Sequence, residues 1–278
     1  MTDASHPLFL FGPGYTAKAL AGIWDGDILG TFRSEDGRKR LDSTQIKAVS
    51  VTDQVRLEQG LEQAHLLVSA APGETGCPAL AAMGDFVHRA ASVTYLSTTG
   101  VYGDLGGGWA MEWSPVNPMS ERGQRRVAAE EGWRSLRPDL RIARLPGIYG
   151  PGRSQLDRVR EGRANRIVKD GQVFSRAHVD DIARALRALI LSGAEGVFNI
   201  CDEEAAPPQD VPLFAAELLG IAPPEEIAFE DADLSPMGRS FYSECKRVSN
   251  ARLKAVTGWR PQYPTYREGL RSIAAGER

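Results

Sequence analysis

Residues 8–18 read LFLFGPGYTAK, and this stretch decides the fold. Its four apolar residues are typical of a buried strand, and a helical pattern comes after the glycines. Gly12, Gly14 and Ala17 match the pattern G-x-G-x-x-A. In such a strand–turn–helix the first glycine permits a tight bend, the second lets backbone approach a pyrophosphate, and the small third residue allows close packing.

The start of this helix offers free N–H groups to an anion, so the turn predicts a dinucleotide site. The alternative is a glycine turn that binds nothing. The residues predicted to bind the dinucleotide here are Gly12, Gly14, Tyr15, Thr16 and Ala17.

Short apolar runs alternate with helical patterns through the next 190 residues or so, as in strand–helix–strand units. Strands are predicted at 28–32, 46–51, 66–71, 93–98, 140–145 and 196–200. Helices are predicted at 17–23, 55–63, 80–91, 125–136, 179–191 and 211–219. The pattern indicates an α/β fold, a doubly wound parallel sheet of the NAD(P)-binding Rossmann type, with a smaller C-terminal lobe.

The domain organisation is predicted from a change of composition after residue 152. Residues 1–152 are expected to form the dinucleotide-binding core, with 177–195 returning to it. Residues 153–278 are expected to form the smaller, substrate-side lobe, because the last eighty are richer in Pro and Glu.

Composition excludes several classes of protein. Of 278 residues, 42% are hydrophobic and 25% are charged, which is ordinary for a globular chain and excludes a disordered one. A net charge of −3 does not favour nucleic acid as a partner, and no apolar run reaches the roughly 20 residues of a membrane helix. Cys77, Cys201 and Cys245 are too far apart for a metal pattern or disulfide framework, so we expect no metal and a cytoplasmic location.

The end of the second predicted strand bears on the choice of cofactor. NAD sites usually carry a carboxylate about 20 residues after the glycines, but here Arg33 and Ser34 stand in that place. Arg33 can grip a 2′-phosphate with a charge-assisted fork, which favours NADP(H) and leaves NAD open. The alternative is a solvated loop cation, and the neighbouring Glu35 and Asp36 point that way.

Five motifs in order carry a resemblance that spans almost the whole chain. They are the glycine turn, YLSTTGVYG at 95–103, RLPGIYGPG at 144–152, HVDDIA at 178–183, and KRVSNARL at 246–253 followed by Gly258-Trp259. With these motifs the chain resembles the extended short-chain dehydrogenase/reductase group, the NAD-dependent epimerase/dehydratase family.

The resemblance implies further site residues. Thr98 matches the hydroxyl that hydrogen-bonds a substrate carbonyl. The other implied cofactor contacts are Thr52 and Asp53 at the adenine, Ala70, Ala71 and Pro72 after the fourth strand, and Pro146 and Ile148 near the nicotinamide. For Tyr102 and Tyr149, wall packing and proton transfer both stay open.

The family's Tyr-x-x-x-Lys pair is missing. Counting back from Ala129-Glu130, Arg126 stands at the lysine position and Arg122 at the tyrosine position. Arginine keeps a cation near the ribose but cannot replace tyrosine, since guanidinium does not deprotonate in proteins. The chain therefore looks like an atypical branch of the family.

Two functions stay open. One is an NADP(H)-dependent oxidoreductase or epimerase in which Tyr102, Tyr149 or a water supplies the proton and Thr98 orients the carbonyl. The other is a non-catalytic protein that senses NADP(H) or carries a small ligand. The sequence does not identify the substrate. A basic segment either neutralises an anionic substrate or faces solvent; its arginines are Arg158, Arg160, Arg163 and Arg166. Relatives often pair through flanking helices, so a homodimer is an expectation.

Overall fold

The structure, a computed structural model, describes residues 6–276 and is built around a parallel sheet. Its strands are β1 (Leu8–Phe11), β2 (Ile28–Phe32), β3 (Lys47–Ser50), β4 (His65–Val68), β5 (Ser92–Thr98), β6 (Trp109–Ala110), β7 (Arg141–Leu145), β8 (Gly147–Tyr149), β9 (Arg166–Val168), β10 (Arg176–His178), β11 (Gly196–Asn199), β12 (Glu226–Ala228) and β13 (Arg247–Val248). Seven of them form the main sheet in the order β11-β7-β5-β4-β1-β2-β3.

The helices alternate with these strands. They are α1 (Tyr15–Ala21), α2 (Glu35–Asp42), α3 (Gln54–Leu61), α4 (Pro78–Met83), α5 (Glu121–Leu136), α6 (Gln155–Arg160), α7 (Val179–Ser192), α8 (Asp210–Leu219), α9 (Pro236–Phe241), α10 (Ala251–Thr257) and α11 (Tyr266–Gly276). Within residues 6–276, two 3-10 helices span Gly84–Arg89 and Thr99–Tyr102.

The predicted fold class is confirmed. Every neighbouring pair in the main sheet is parallel, and Leu8 of β1 stands between Ile28 of β2 and His65 of β4. The strand order reverses at β1, because the chain passes from β3 back across β1 to β4. A crevice at such a reversal is where ligands bind in open α/β sheets, and the glycine turn comes directly after β1.

Two apolar layers cover the two faces of the sheet. The alternation of β1 sends Leu8 and Leu10 into one layer and Phe9 and Phe11 into the other. On the first face α1 packs against α7, and on the second α3, α4 and α5 cover the strands. The sheet is therefore doubly wound, as the alternating pattern indicates.

Several predicted boundaries differ from the structure. The strand expected at 66–71 ends at Val68, and the helix expected at 80–91 is α4 followed by a 3-10 turn. Helix α2 was not predicted at all. Most of its residues are charged and exposed, and Leu41 is its one buried residue, so no apolar period marks it.

The residues after 152 contribute both to a separate helical cluster and to the main sheet with its covering layers. Helices α6, α8 and α11 pack together around Leu156, Ala215 and Leu270. Helix α7 and strand β11 instead join the main sheet and its layers. The division at residue 152 remains a prediction.

No helix among residues 6–276 is both long and apolar enough to cross a membrane.

Candidate functional site

The glycine turn is held closed by its neighbours on both sides. Gly12 has φ +73°, a left-handed conformation that favours glycine, and its N–H donates to the Thr31 hydroxyl at 2.8 Å. A Cβ at position 12 would lie 2.8 Å from Cβ of Ala70. Ser69 and Ala70 in turn donate their N–H groups to the Phe11 carbonyl. The turn is thus packed directly on the loop after β4.

Helix α1 begins immediately after this turn. Gly14 is its N-cap in extended conformation, and a Cβ there would meet nothing closer than 3.9 Å, so the backbone is open on that side. Thr16 and Ala17 are buried, which lets the helix lie close to the sheet. Its first turn carries no acidic residue. An anion can therefore approach these N–H groups without meeting a carboxylate of the helix itself.

The end of β2 presents an uncommitted cation. Arg33 is exposed, and no carboxylate of the part of the chain that the structure describes lies within ion-pair distance of it. Ser34 caps α2 by accepting from the Gly37 N–H at 3.2 Å. Glu35 is occupied by Arg38 at 2.7 Å, and the hydrogen bond from Arg38 lowers the pKa of Glu35. The acid expected to oppose Arg33 is thus engaged by another arginine.

Most of the remaining predicted cofactor residues come after other parallel strands. Exposed Thr52 comes after β3, with its hydroxyl 2.9 Å from that of Ser50, and Asp53 caps α3 by accepting from the Arg56 N–H at 3.1 Å. Ala70, Ala71 and Pro72 come after β4, and Pro146 comes directly after β7. Because the carboxyl ends of parallel strands share one edge, these positions lie along the same edge of the sheet. Ile148 lies inside β8, which pairs with β10 outside the main sheet. The contact of all these residues with a cofactor stays a prediction.

Thr98 closes β5 at that edge. Its hydroxyl oxygen accepts from the Gly100 N–H at 3.2 Å and so caps the following 3-10 helix. A hydroxyl that accepts once still has its own hydrogen to donate, and Thr98 is only half-buried. This geometry leaves Thr98 able to donate to a carbonyl oxygen.

Tyr102 lies in the core, behind this edge. Its hydroxyl donates to Oδ1 of Asn199 at 2.8 Å, the Arg144 guanidinium stands 4.7 Å from its ring centroid, and its exposed fraction is 0%. Burial raises the pKa of Tyr102. A fully buried phenol with its proton already engaged is poorly placed to serve a substrate, which argues against the catalytic role considered for Tyr102.

Tyr149 is similarly committed to packing. Its ring meets the His178 ring edge-on, with the centroids 5.2 Å apart, and its hydroxyl donates to the Thr265 carbonyl at 3.4 Å. A Cβ at Gly269 would overlap that hydroxyl, and burial raises the pKa of Tyr149. His178 itself caps α7 by accepting from the Asp180 N–H at 3.2 Å.

The two arginines on α5 take different positions. Arg126 is buried and donates to the Leu96 carbonyl at 2.6 Å and the Tyr95 hydroxyl at 3.1 Å. It therefore fastens α5 to β5, which argues against the ribose contact inferred from its place in the motif. Arg122 is exposed in the first turn of α5, whose Gly123 is so close to the 3-10 helix that a Cβ would lie 3.3 Å from the Gly100 carbonyl oxygen. The backbone of Arg122 thus lies close to the end of β5.

A buried ionic network was missed by reasoning from sequence. Arg144 donates to both carboxylate oxygens of Glu130, at 3.1 and 2.7 Å, and both side chains are almost fully buried. Asn199 continues the network from Tyr102, since its N–H donates to Glu112 at 3.0 Å. Burial raises the pKa of Glu112. An arginine inside an apolar strand needs a buried partner, and that signal was available at Arg144.

A protein of similar sequence and structure is known. No family model matches the chain. A conserved protein of unknown function from Silicibacter pomeroyi is 42% identical, the alignment covers 98% of this chain and 99% of that one, and the TM-score is 0.91. The chain belongs to the family of this protein.

Two curated proteins match shorter segments of the chain. Protein YeeZ of Escherichia coli K12 is 32% identical over 186 residues, which is 64% of this chain and 60% of that protein. A 3-diazoavenalumate denitrifying reductase from a Streptomyces species is 29% identical over 140 residues, 46% of this chain and 45% of that protein. Each match thus spans less than two thirds of the relative.

More distant structures share the fold. A dTDP-glucose 4,6-dehydratase from Bacillus anthracis, solved in complex with NAD, superposes with a TM-score of 0.76 at 17% identity and covers 97% of this chain. The resemblance to the NAD-dependent epimerase/dehydratase family drawn from the motifs is confirmed at the level of the fold.

Proposed function

We propose that the chain binds NADP(H) at the carboxyl edge of the sheet and acts as a reductase of a small carbonyl compound. The single observation that carries the proposal is the glycine turn, in which Gly12 is pressed against Ala70 while Gly14 leaves open backbone at the start of α1. The open backbone at Gly14, with no protein atom within 3.9 Å of a Cβ placed there, fits the close approach of a dinucleotide pyrophosphate. The NAD held by the dehydratase of like fold and the reductase among the relatives support the proposal.

The phosphorylated cofactor is favoured by the charges at the end of β2. Arg33 carries no ion-pair partner among residues 6–276, while Glu35 is engaged by Arg38. A guanidinium at this place can form paired hydrogen bonds to a 2′-phosphate.

Thr98 is the residue that we assign to the substrate. When bound, the nicotinamide supplies hydride to the carbonyl carbon. The Thr98 hydroxyl would donate to the carbonyl oxygen, and Arg122, beside the end of β5, would stabilise the negative charge that develops there. Neither group replaces the family's tyrosine, so the proton comes from water and turnover is expected to be slow.

Calorimetry with NADPH and NADH tests the cofactor assignment. The unaltered protein should bind NADPH more tightly, and Arg33→Asp should reverse or abolish that preference. Lys39→Asp, the same charge change on the exposed side of α2, is the control and should leave the preference in place. Equal affinity for both cofactors in the unaltered protein would overturn the role of Arg33, and absence of binding would overturn the proposed function.

The catalytic part is tested by NADPH oxidation with a panel of ketones, aldehydes and nucleotide-sugars. We expect slow turnover that survives Tyr102→Phe and Tyr149→Phe. Loss of turnover in either variant, with cofactor affinity intact, would identify that tyrosine as the proton donor. Tight NADPH binding without oxidation by any compound would instead favour a non-catalytic sensor.

A further inference from the structure

The loop after β8 is fastened to the first residue of α1. The Tyr15 hydroxyl donates to the Pro151 carbonyl at 2.9 Å. A Cβ at Gly150 would overlap that hydroxyl and lie 2.6 Å from Val179, so the contact depends on glycine. Burial raises the pKa of Tyr15 to about 12, and nearby Asp180 adds to the rise. Tyr15 is thus a neutral hydrogen-bond donor that joins the glycine turn to this loop.

The same loop places an arginine over the Tyr15 ring. Gly150 and Arg153 exchange two backbone hydrogen bonds, at 3.2 and 3.0 Å, around Pro151 and Gly152. Gly152 has φ +69°, as the third position of a tight Pro-Gly turn requires. The turn holds the Arg153 guanidinium 5.8 Å from the Tyr15 ring centroid, within cation–π range.

This guanidinium has no counterion in the part of the chain that the structure describes. Arg153 is exposed and forms no ion pair among residues 6–276. One neighbouring acid is engaged elsewhere, since Asp157 accepts from the N–H and hydroxyl of Ser154, both at 2.8 Å. The half-exposed carboxylate of Asp180 is not within ion-pair distance of Arg153. A cation is therefore positioned by an aromatic ring and a closed turn, with its N–H edge uncommitted.

We propose that Arg153 binds a phosphate of the pyrophosphate group of the dinucleotide. The inference rests on the proposed function, because it assumes that a dinucleotide occupies the glycine turn. Tyr15 comes directly after Gly14 in the chain. The residue whose ring lies under the Arg153 guanidinium is therefore next to the backbone that would hold the pyrophosphate. Guanidinium matches two phosphate oxygens with parallel N–H bonds, and stacking on a ring leaves those N–H groups available.

Calorimetry on the full chain with three probes tests the assignment. Arg153→Gln should bind NADPH and ADP-ribose about tenfold more weakly, which corresponds to about 1.4 kcal/mol. It should bind 2′-AMP, which has no pyrophosphate, as the unaltered protein does. Arg33→Gln should show the opposite pattern, with 2′-AMP lost and ADP-ribose kept. Arg158→Gln removes an exposed arginine of α6 and should change none of the three.

The role of the ring is tested by a double-substitution cycle. Tyr15→Leu should weaken ADP-ribose binding severalfold, and adding Arg153→Gln should then cost less than it does alone, because the guanidinium is no longer positioned. Binding by Arg153→Gln should also depend less on salt. Urea midpoints of all variants separate loss of binding from loss of folding.

The outcomes separate the two proposals. If the unaltered protein binds neither NADPH nor ADP-ribose, the proposed function and this inference both fail. If it binds them and Arg153→Gln binds them equally well, the inference alone is wrong. A uniform loss of all three probes in Arg153→Gln would also overturn it, since the effect would not belong to the pyrophosphate.

Discussion

Gly12→Ala should destabilise the protein by about 2–5 kcal/mol. The residue would keep φ +73°, which costs an L-residue about 1–2 kcal/mol, and its Cβ would lie 2.8 Å from Cβ of Ala70. Overpacking of that kind adds about 1–3 kcal/mol. Against a typical total of about 5–15 kcal/mol, the loss is large enough for urea unfolding to measure accurately.

Gly193→Ala is the matched control. Gly193 ends α7 with φ +71°, but nothing lies within 4 Å of a Cβ there, so it should lose only the conformational part, about 1–2 kcal/mol. Ala70→Gly added to Gly12→Ala should restore part of the stability, since contacts of 3.1 Å to backbone atoms of residue 70 remain. Equal losses in the two single variants would refute the idea that the turn is packed tightly on the loop after β4.

Three further predictions concern the site and its support. Thr98→Val, nearly isosteric, should remove reductase activity and leave NADPH affinity almost unchanged; a matching loss of affinity would mean that Thr98 only shapes the pocket. Glu130→Gln should cost about 3–5 kcal/mol in urea unfolding because it leaves Arg144 buried without its counterion, whereas Glu121→Gln, in an exposed pair, should cost less than about 1 kcal/mol. Burial lowers the pKa of His178, so its contribution to stability is complete above about pH 6.5 and is lost as pH falls through the folded pKa. His178→Gln should therefore flatten the fall in unfolding free energy between pH 7.5 and 5.5, and an unchanged slope would contradict this.

The sheet was predictable because its signals are local. The apolar run ending at Gly12 marks a strand, and the glycine spacing marks the turn and the helix after it. Strands such as β7 were also recognisable, although Arg144 sits inside an apolar run. The pattern could not provide the partner of that arginine, since Glu130 is 14 residues away and meets it only after α5 packs on the sheet.

The candidate site was harder to predict because a motif does not specify whether its side chains are buried. Tyr102 and Arg126 both stand in recognisable segments, yet one is engaged by Asn199 and the other by backbone of β5. Helix α2 was not predicted for the opposite reason, since a charged, exposed helix has no periodic pattern of apolar residues. The sequence could not place Arg153 beside the glycine turn, because its contact with Tyr15 joins residues 138 positions apart.

The position of β11 has a consequence for synthesis on the ribosome. Strand β1 is made early, but α7, which packs on α1, and β11, which pairs with β7, come only after residue 178. About 190 residues separate Leu8 from the end of β11. Because the ribosome adds roughly 5–20 residues per second, β11 is completed roughly 10–40 s after β1. During that time the face that carries Leu10 and Leu20 lacks its cover. A nascent chain stalled in this interval would present an apolar surface to chaperones and to other chains.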